Sequence, residues 1–165
     1  MYEKYVDTIK ETLLFLGISK KDILVMLNSI EAKIQRYKKN DIIKSVGTKF
    51  KSIGLVLSGE VNVTKENAAG NVMHMAFLKK GDIFGEMMVF TNSDDWPATI
   101  VAKSDCEILF LPRERIINDC KNYCDAHKIF IQNLLVMISQ RAMLLNKKVE
   151  YMSIKSMRAK IATYL

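Results

Sequence analysis

The chain has 165 residues, of which 49% are hydrophobic, so it can bury the core of one domain of ordinary size. Its formal net charge is +7, and no uninterrupted apolar run approaches the roughly 20 residues that a membrane-spanning helix needs. The N-terminus lacks the basic start and apolar stretch of a secretory signal, and the three cysteines do not form a disulfide framework. These features exclude a secreted disulfide scaffold and predict a cytoplasmic protein with no membrane partner.

The positive charge is concentrated at the C-terminal end. Residues 1–125 carry 18 Lys or Arg against 17 Asp or Glu, a difference of +1, whereas residues 126–165 carry 7 against 1, a difference of +6. A near-neutral body with a basic end is typical of a module that leads towards nucleic acid. A solvated helix face with few acidic residues explains the same charge equally well.

Two helices are predicted before residue 30. Apolar residues at helical spacing predict the first over residues 2–16, and Gly17 suits its C-terminal end. Ser19 is a predicted N-cap for the second, over residues 19–27, with Asp22 at the capping-box position. We expect both helices to pack against the body of the domain.

Residues 32–111 show the period-two alternation of β-strands, broken by Gly, Asn, Asp and Lys. Asn67 and Gly70 predict a hairpin loop over residues 65–71, between two of these strands. Pro112 should end the last strand because it cannot donate a ladder hydrogen bond. This spacing predicts an antiparallel sandwich or jelly-roll β-barrel with flanking helices.

The stretch from Gly81 to residue 102 is the candidate binding element. Gly85 can adopt a positive φ, and the apolar run after Glu86 is long enough for about one helical turn, over residues 86–90. A loop with Trp96 and Pro97 follows, and then an alternating strand. A helix start beside such a loop can hold an anion or a small ligand.

A long helix is predicted over residues 123–152, about 45 Å at 1.5 Å per residue. Its length exceeds what one barrel can cover, and it carries a heptad stripe that predicts a homodimer. The predicted interface residues are Ile131, Leu135, Ile138, Ala142, Leu145, Val149 and Met152. A neighbouring apolar stripe consists of Phe130, Leu134, Met137 and Leu144 and can face the barrel.

Three spaced segments together resemble the sensor half of the Crp/Fnr family of bacterial transcription regulators. They are Gly85-Glu86 with the strand at residues 98–102, Leu57-Ser58-Gly59-Glu60-Val61, and the segment at residues 106–112. The resemblance runs from about Ile34 to the last residue. It implies a cyclic-nucleotide-binding-like jelly-roll sensor over residues 1–122, a dimerisation helix over residues 123–152, and the start of a truncated helix-turn-helix domain over residues 153–165.

The resemblance also implies where an effector binds and which contacts have changed. In the cyclic-AMP-binding members, a glutamate contacts the ribose, and an arginine and a serine hold the phosphate. Glu86 retains the glutamate, but Trp96 and Pro97 replace the arginine and serine, and Leu145 with Asn146 occupies the purine-contacting positions. We therefore expect a small effector other than cyclic AMP. The predicted site is Gly85, Glu86, Met87, Met88, Trp96, Pro97, Ala98, Leu145 and Asn146.

Catalytic and metal chemistry have weak candidates. The only two histidines, His74 and His127, fall on different predicted elements, which does not favour a metal site. Cys120 and Cys124 share a helix face but are more often buried structural residues than a redox pair. No nucleophile–base arrangement is indicated, so we expect no enzyme activity and no cofactor.

The predicted function is therefore effector sensing and dimerisation in a transcription regulator. DNA and RNA polymerase would be contacted only through a C-terminal domain that this chain lacks. Two alternatives remain: a jelly-roll enzyme that binds a small molecule, and a regulatory cyclic-nucleotide domain of a larger enzyme or channel.

Overall fold

The computed structural model describes residues 2–67, 69–91, 94–118 and 125–153. The N-terminal segment contains a 3-10 turn at Glu3–Tyr5, α1 at Val6–Lys10 and a 3-10 turn at Leu13–Phe15. The prediction of one continuous helix over residues 2–16 is therefore wrong. Thr12 interrupts it with an extended backbone, and its hydroxyl donates to the carbonyl oxygen of Ile9 at 2.7 Å. Threonine competes in this way for the carbonyls that a helix would use.

The second predicted helix is confirmed as α2, Lys20–Ser29. Ser19 is its N-cap, because the Ser19 Oγ accepts a hydrogen bond from the backbone N–H of Asp22 at 3.2 Å. The same hydroxyl donates to the Asp22 carboxylate at 2.6 Å, so the cap and the acidic residue of the first turn hold each other.

In the described part of the chain, eight strands form two four-stranded antiparallel sheets, which confirms the predicted jelly-roll fold. One sheet has the order β1-β8-β3-β6 and the other β2-β7-β4-β5. The strands are β1 Lys33–Tyr37, β2 Ile42–Lys44, β3 Ser52–Ser58, β4 Val61–Glu66, β5 Val72–Leu78, β6 Ile83–Phe84, β7 Thr99–Ala102 and β8 Cys106–Pro112. The predicted hairpin joins β4 and β5, where the Asn67 side chain accepts from the backbone N–H groups of Ala69 and Asn71.

The first sheet separates two hydrophobic cores because side chains alternate between its faces. Leu109 and Leu111 of β8 face a first core that the N-terminal helices share. Ile108 of the same strand faces a second core between the two sheets. The barrel is thus filled from inside and is covered by helices on one outer face.

Two helices follow the barrel: α3 at Arg113–Asn118 and α4 at Asp125–Ser153. The 29 residues of α4 span about 43 Å. Its beginning packs on the N-terminal segment and α2, where Phe130 and Leu134 are buried and the Asn133 side chain donates to Leu16 O at 2.8 Å. Its second half leaves the domain surface. Residues 119–124, with Cys120 and Cys124, and the helix-turn-helix start predicted over residues 154–165 lie outside the described residues.

Among the described residues, α4 is also the one helix that is long and apolar enough to cross a membrane by length and composition. The absence of an uninterrupted apolar run does not exclude such a helix, because only scattered polar residues interrupt it. The burial of Phe130 and Leu134 against the same chain shows that its first turns belong to the core of the domain.

Candidate functional site

Gly85 fixes the geometry of the candidate binding cassette, the segment from Gly85 to residue 102. It follows β6 directly, has a φ of +83°, and precedes a 3-10 turn at Glu86–Met88. A Cβ atom at this position would lie 2.5 Å from Phe50 Cε1 and 2.6 Å from Ser52 O, so only glycine fits the backbone and the space. The ordered turn is shorter than the one predicted over residues 86–90, and it is 3-10 rather than α-helical.

Glu86 is a buried acid at the start of this turn, with 3% of its surface exposed. Its Oε1 accepts a hydrogen bond from Nη1 of Arg141 on α4. The second guanidinium nitrogen of Arg141, Nη2, donates to the carbonyl oxygen of Ile83 at 3.1 Å. Arg141 thus binds a side chain of the cassette and the strand that leads into it.

The contact between Glu86 and Arg141 joins the cassette to α4. A buried carboxylate is expensive to leave without a partner, so Arg141 has a strong preference for this position. Glu86 Oε2 is buried and has no hydrogen-bond partner among the described residues. Glu86 Oε2 can therefore still accept a hydrogen bond, while Oε1 binds Arg141 of α4.

The sequence analysis did not predict a role for Arg141, because the predictions for this helix rest on its two apolar stripes and Arg141 is a polar residue between them. A signal for it was present. Arg141 is the only charged residue from residue 129 to residue 146, in an otherwise apolar part of α4. A lone cation in such a window has to reach solvent or a buried acid.

Trp96 lies inside the barrel, with 4% of its surface exposed. Its ring packs edge-to-face against Phe50, with ring centroids 5.2 Å apart, and near Phe84 at 6.4 Å. Among the described residues, its Nε1 has no hydrogen-bond partner. Trp96 therefore fills the second core between the two sheets.

Apart from Gly85 and Glu86, the predicted effector-site residues divide into three groups. Met88, Trp96 and Ala98 come together as members of the second core. Met87 and Pro97 are exposed at the surface of the cassette. On α4, Leu145 and Asn146 lie one turn beyond Arg141 and are exposed.

The residues of the predicted dimer stripe become more exposed along α4. Ile131 and Ile138 are partly buried and pack on the first core of their own chain. The remaining members are exposed and have no apolar cover among the described residues: Leu135, Ala142, Leu145, Val149 and Met152.

The contacts of His74, His127 and Cys106 indicate structural roles for these three residues. A 2.8 Å hydrogen bond joins His74 to the side chain of Asn62, and another joins His127 to the carbonyl oxygen of Ile116. Burial raises the pKa of the Cys106 thiol, and nearby carboxylates add to the shift. A thiol with a raised pKa stays protonated at neutral pH and is a poor nucleophile.

Comparison with known proteins places the barrel in a family. Residues 34–123 match the cyclic nucleotide-binding domain family. The cAMP-activated global transcriptional regulator CRP of Pasteurella multocida is 32% identical over 75 residues, which cover 46% of this chain and 36% of the relative. The chain therefore spans about a third of that regulator's length.

Two solved structures share the fold. The Catabolite Activator Protein of Thermus thermophilus has a TM-score of 0.74 at 23% identity, over 86% of this chain and 63% of that one. The sensor domain of the transcriptional regulator DNR from Pseudomonas aeruginosa has a TM-score of 0.67 at 14% identity, over 95% of this chain and 99% of the domain. At these identities the likeness establishes the architecture alone.

Proposed function

This chain belongs to the cyclic nucleotide-binding domain family, and from that premise we propose that it is the effector-sensing and dimerisation domain of a Crp/Fnr-like transcription regulator. The observation that carries the proposal is the contact between the buried Glu86 of the cassette and the partly exposed Arg141 of α4. It gives a ligand at the cassette a direct means of acting on the helix.

The mechanism is a shift between two states of α4. A ligand that engages the cassette competes for the Glu86 carboxylate, or adds to it through the unpartnered Oε2. Either outcome changes how firmly Arg141 holds the helix on the barrel. Because α4 packs on the body of the domain only along its first half, its free half follows the change. The ligand acts through its different affinity for the two states, and no chemistry is involved.

Dimerisation accounts for the apolar surface of the free half of α4. Exposed Leu145 and Val149 continue a heptad stripe, the pattern of a helix that packs on another helix. A second copy of the same helix supplies a matching stripe in a symmetric pair. We place the dimer in the cytoplasm, where a C-terminal domain of the full-length protein would contact DNA and RNA polymerase.

The effector is a small molecule other than cyclic AMP. Trp96 supplies bulk where a phosphate ligand needs a cation, and it packs in the core. An arginine binds a phosphate through paired, charge-assisted hydrogen bonds that an indole cannot make. Each such bond contributes about 1.5–3 kcal/mol.

The dimerisation function is tested by fusing the chain at its C-terminus to a monomeric DNA-binding domain that occupies its operator only as a dimer. The fusion should repress transcription from that operator. Replacing Leu145 and Val149 by Glu should abolish repression, whereas Lys147→Glu, on the opposite face of the same turns, should retain it. A wild-type fusion that accumulates normally but does not repress would refute the dimerisation function.

Titration calorimetry with cyclic AMP tests the choice of effector. Loss of the phosphate-binding arginine should weaken binding by roughly one to two decades, beyond the low micromolar range. Adenosine, which lacks the phosphate, is the matched control and should bind no more weakly than cyclic AMP. A dissociation constant of low micromolar or below for cyclic AMP, with adenosine much weaker, would show that another group replaces the arginine.

A further inference from the structure

A cavity separate from the cassette lies between α4 and the N-terminal segment. Its volume is about 510 Å³, within the range of small-molecule sites. Three parts of the chain form its walls: Thr8 and residues 11–14 of the N-terminal segment, residues 80–83 at the turn into β6, and one face of α4 with Met137, Arg141 and Leu144.

The cavity opens where α4 leaves the barrel. Leu134 is fully buried, Met137 is partly buried and Leu144 is 57% exposed, so the helix loses its cover over about three turns. On the opposite wall, Gly81 has a φ of +93°, and a Cβ atom there would meet nothing within 4 Å. The turn thus leaves the entrance clear, and an occupant would lie between the helix and the body of the domain.

The walls have exposed apolar side chains and charges of both signs. Leu13 and Leu144 line the cavity and are 56% and 57% exposed, so an occupant can contact them. Lys80 and Arg141 supply two positive charges, and Glu11 and Asp82 supply two negative charges. A ligand with only a negative charge would be repelled by both acidic residues. A ligand with only a positive charge would be repelled by both basic residues. A molecule with one charge of each sign on an apolar body satisfies the whole lining.

We propose that this cavity is a second ligand site, and that it binds short apolar peptides with free amino and carboxyl termini. The peptide carboxylate pairs with Arg141 or Lys80, its ammonium group pairs with Glu11 or Asp82, and its side chains cover Leu13 and Leu144. The site goes beyond the proposed function, which places the effector at the cassette.

Occupancy of the cavity would reach the cassette through Arg141. Arg141 lines the cavity and also binds Glu86, and Ile83, whose carbonyl oxygen accepts from Arg141, lines it as well. A carboxylate that attracts the guanidinium therefore acts on the same contact as a ligand at the cassette. The two sites share one residue and would bias the same helix.

The test is a titration of the whole chain with leucyl-leucine, followed by amide NMR shifts. Two matched peptides remove one charge each: N-acetyl-leucyl-leucine lacks the ammonium group and leucyl-leucine amide lacks the carboxylate. Leucyl-leucine should shift the amides of residues 80–83 and of Met137 to Leu144. Each blocked peptide should bind more weakly, by up to about fivefold.

A variant identifies the partner of the ammonium group. Glu11→Gln should weaken leucyl-leucine and leave N-acetyl-leucyl-leucine unchanged, whereas Glu66→Gln, an exposed acid of β4 outside the cavity, should change neither. No shift up to about 10 mM peptide, equal binding of a blocked peptide, or shifts confined to residues outside the cavity would overturn the proposal.

Discussion

Replacing Leu145 and Val149 by glutamate is expected to convert the proposed dimer into a folded monomer. The two side chains are 62% and 59% exposed in the single chain, so glutamate costs little there. In a helix pair each apolar side chain contributes about 1.5–3 kcal/mol of burial. Four such side chains are lost per dimer, and the carboxylates that replace them repel one another across the helix–helix interface. The dissociation constant should rise by at least about three decades.

Sedimentation velocity measures this directly, and circular dichroism shows whether the variant remains folded. Lys147→Glu is the matched control, because it adds a carboxylate on the opposite face of the same helix and should leave the dimer intact. If the double variant still sediments at twice the 18.9 kDa chain mass at micromolar concentration, the stripe is not the interface.

Replacing Trp96 by alanine is expected to lower the free energy of unfolding by about 3–5 kcal/mol. The indole ring packs against Phe50 and Phe84 in the second core, and alanine would leave a cavity between the sheets. Since domains of this size are stable by only about 5–15 kcal/mol, the loss would shift the urea midpoint strongly.

The Trp96→Phe variant separates the contribution of ring packing to stability from the contribution of the polar Nε1 atom. It keeps a ring against Phe50 and removes the Nε1 group that has no partner among the described residues, so it should cost less than about 1.5 kcal/mol. Urea unfolding at one fixed protein concentration measures both variants. A loss of less than about 1 kcal/mol for Trp96→Ala would show that the ring is not a core element.

The features that sequence predicted well depend on neighbours along the chain. Ser19 with Asp22 marks a helix start, and Asn67 with Gly70 marks a hairpin, because each pair satisfies backbone groups only a few residues away. The alternating strands predicted the jelly roll for the same reason. Thr12 shows the limit of this approach, since the apolar spacing around it continues while its own backbone is extended.

The features that sequence missed depend on contacts across the fold. Glu86 and Arg141 are 55 residues apart, and nothing local to either one indicates the other. Trp96 occupies a position that resemblance assigns to the effector site, but the surrounding Phe50 and Phe84 decide that its ring is buried. Its role towards an effector stays a prediction.

Hydrogen exchange of α4 in the Glu86→Gln variant tests the central claim, that the cassette controls the helix through Arg141. The amide keeps the shape of the side chain and removes the charge that holds the guanidinium. Losing a charged hydrogen bond of about 1.5–3 kcal/mol should speed exchange of the α4 amides from Met137 to Leu145 by about tenfold or more.

Glu66→Gln is the control, an exposed acid at the end of β4 that should leave exchange in α4 unchanged. The account predicts faster exchange in α4 for Glu86→Gln alone, with the amides of Phe130 and Leu134 still protected by the first core. Unchanged exchange between Met137 and Leu145, with any effect confined to the cassette, would contradict it.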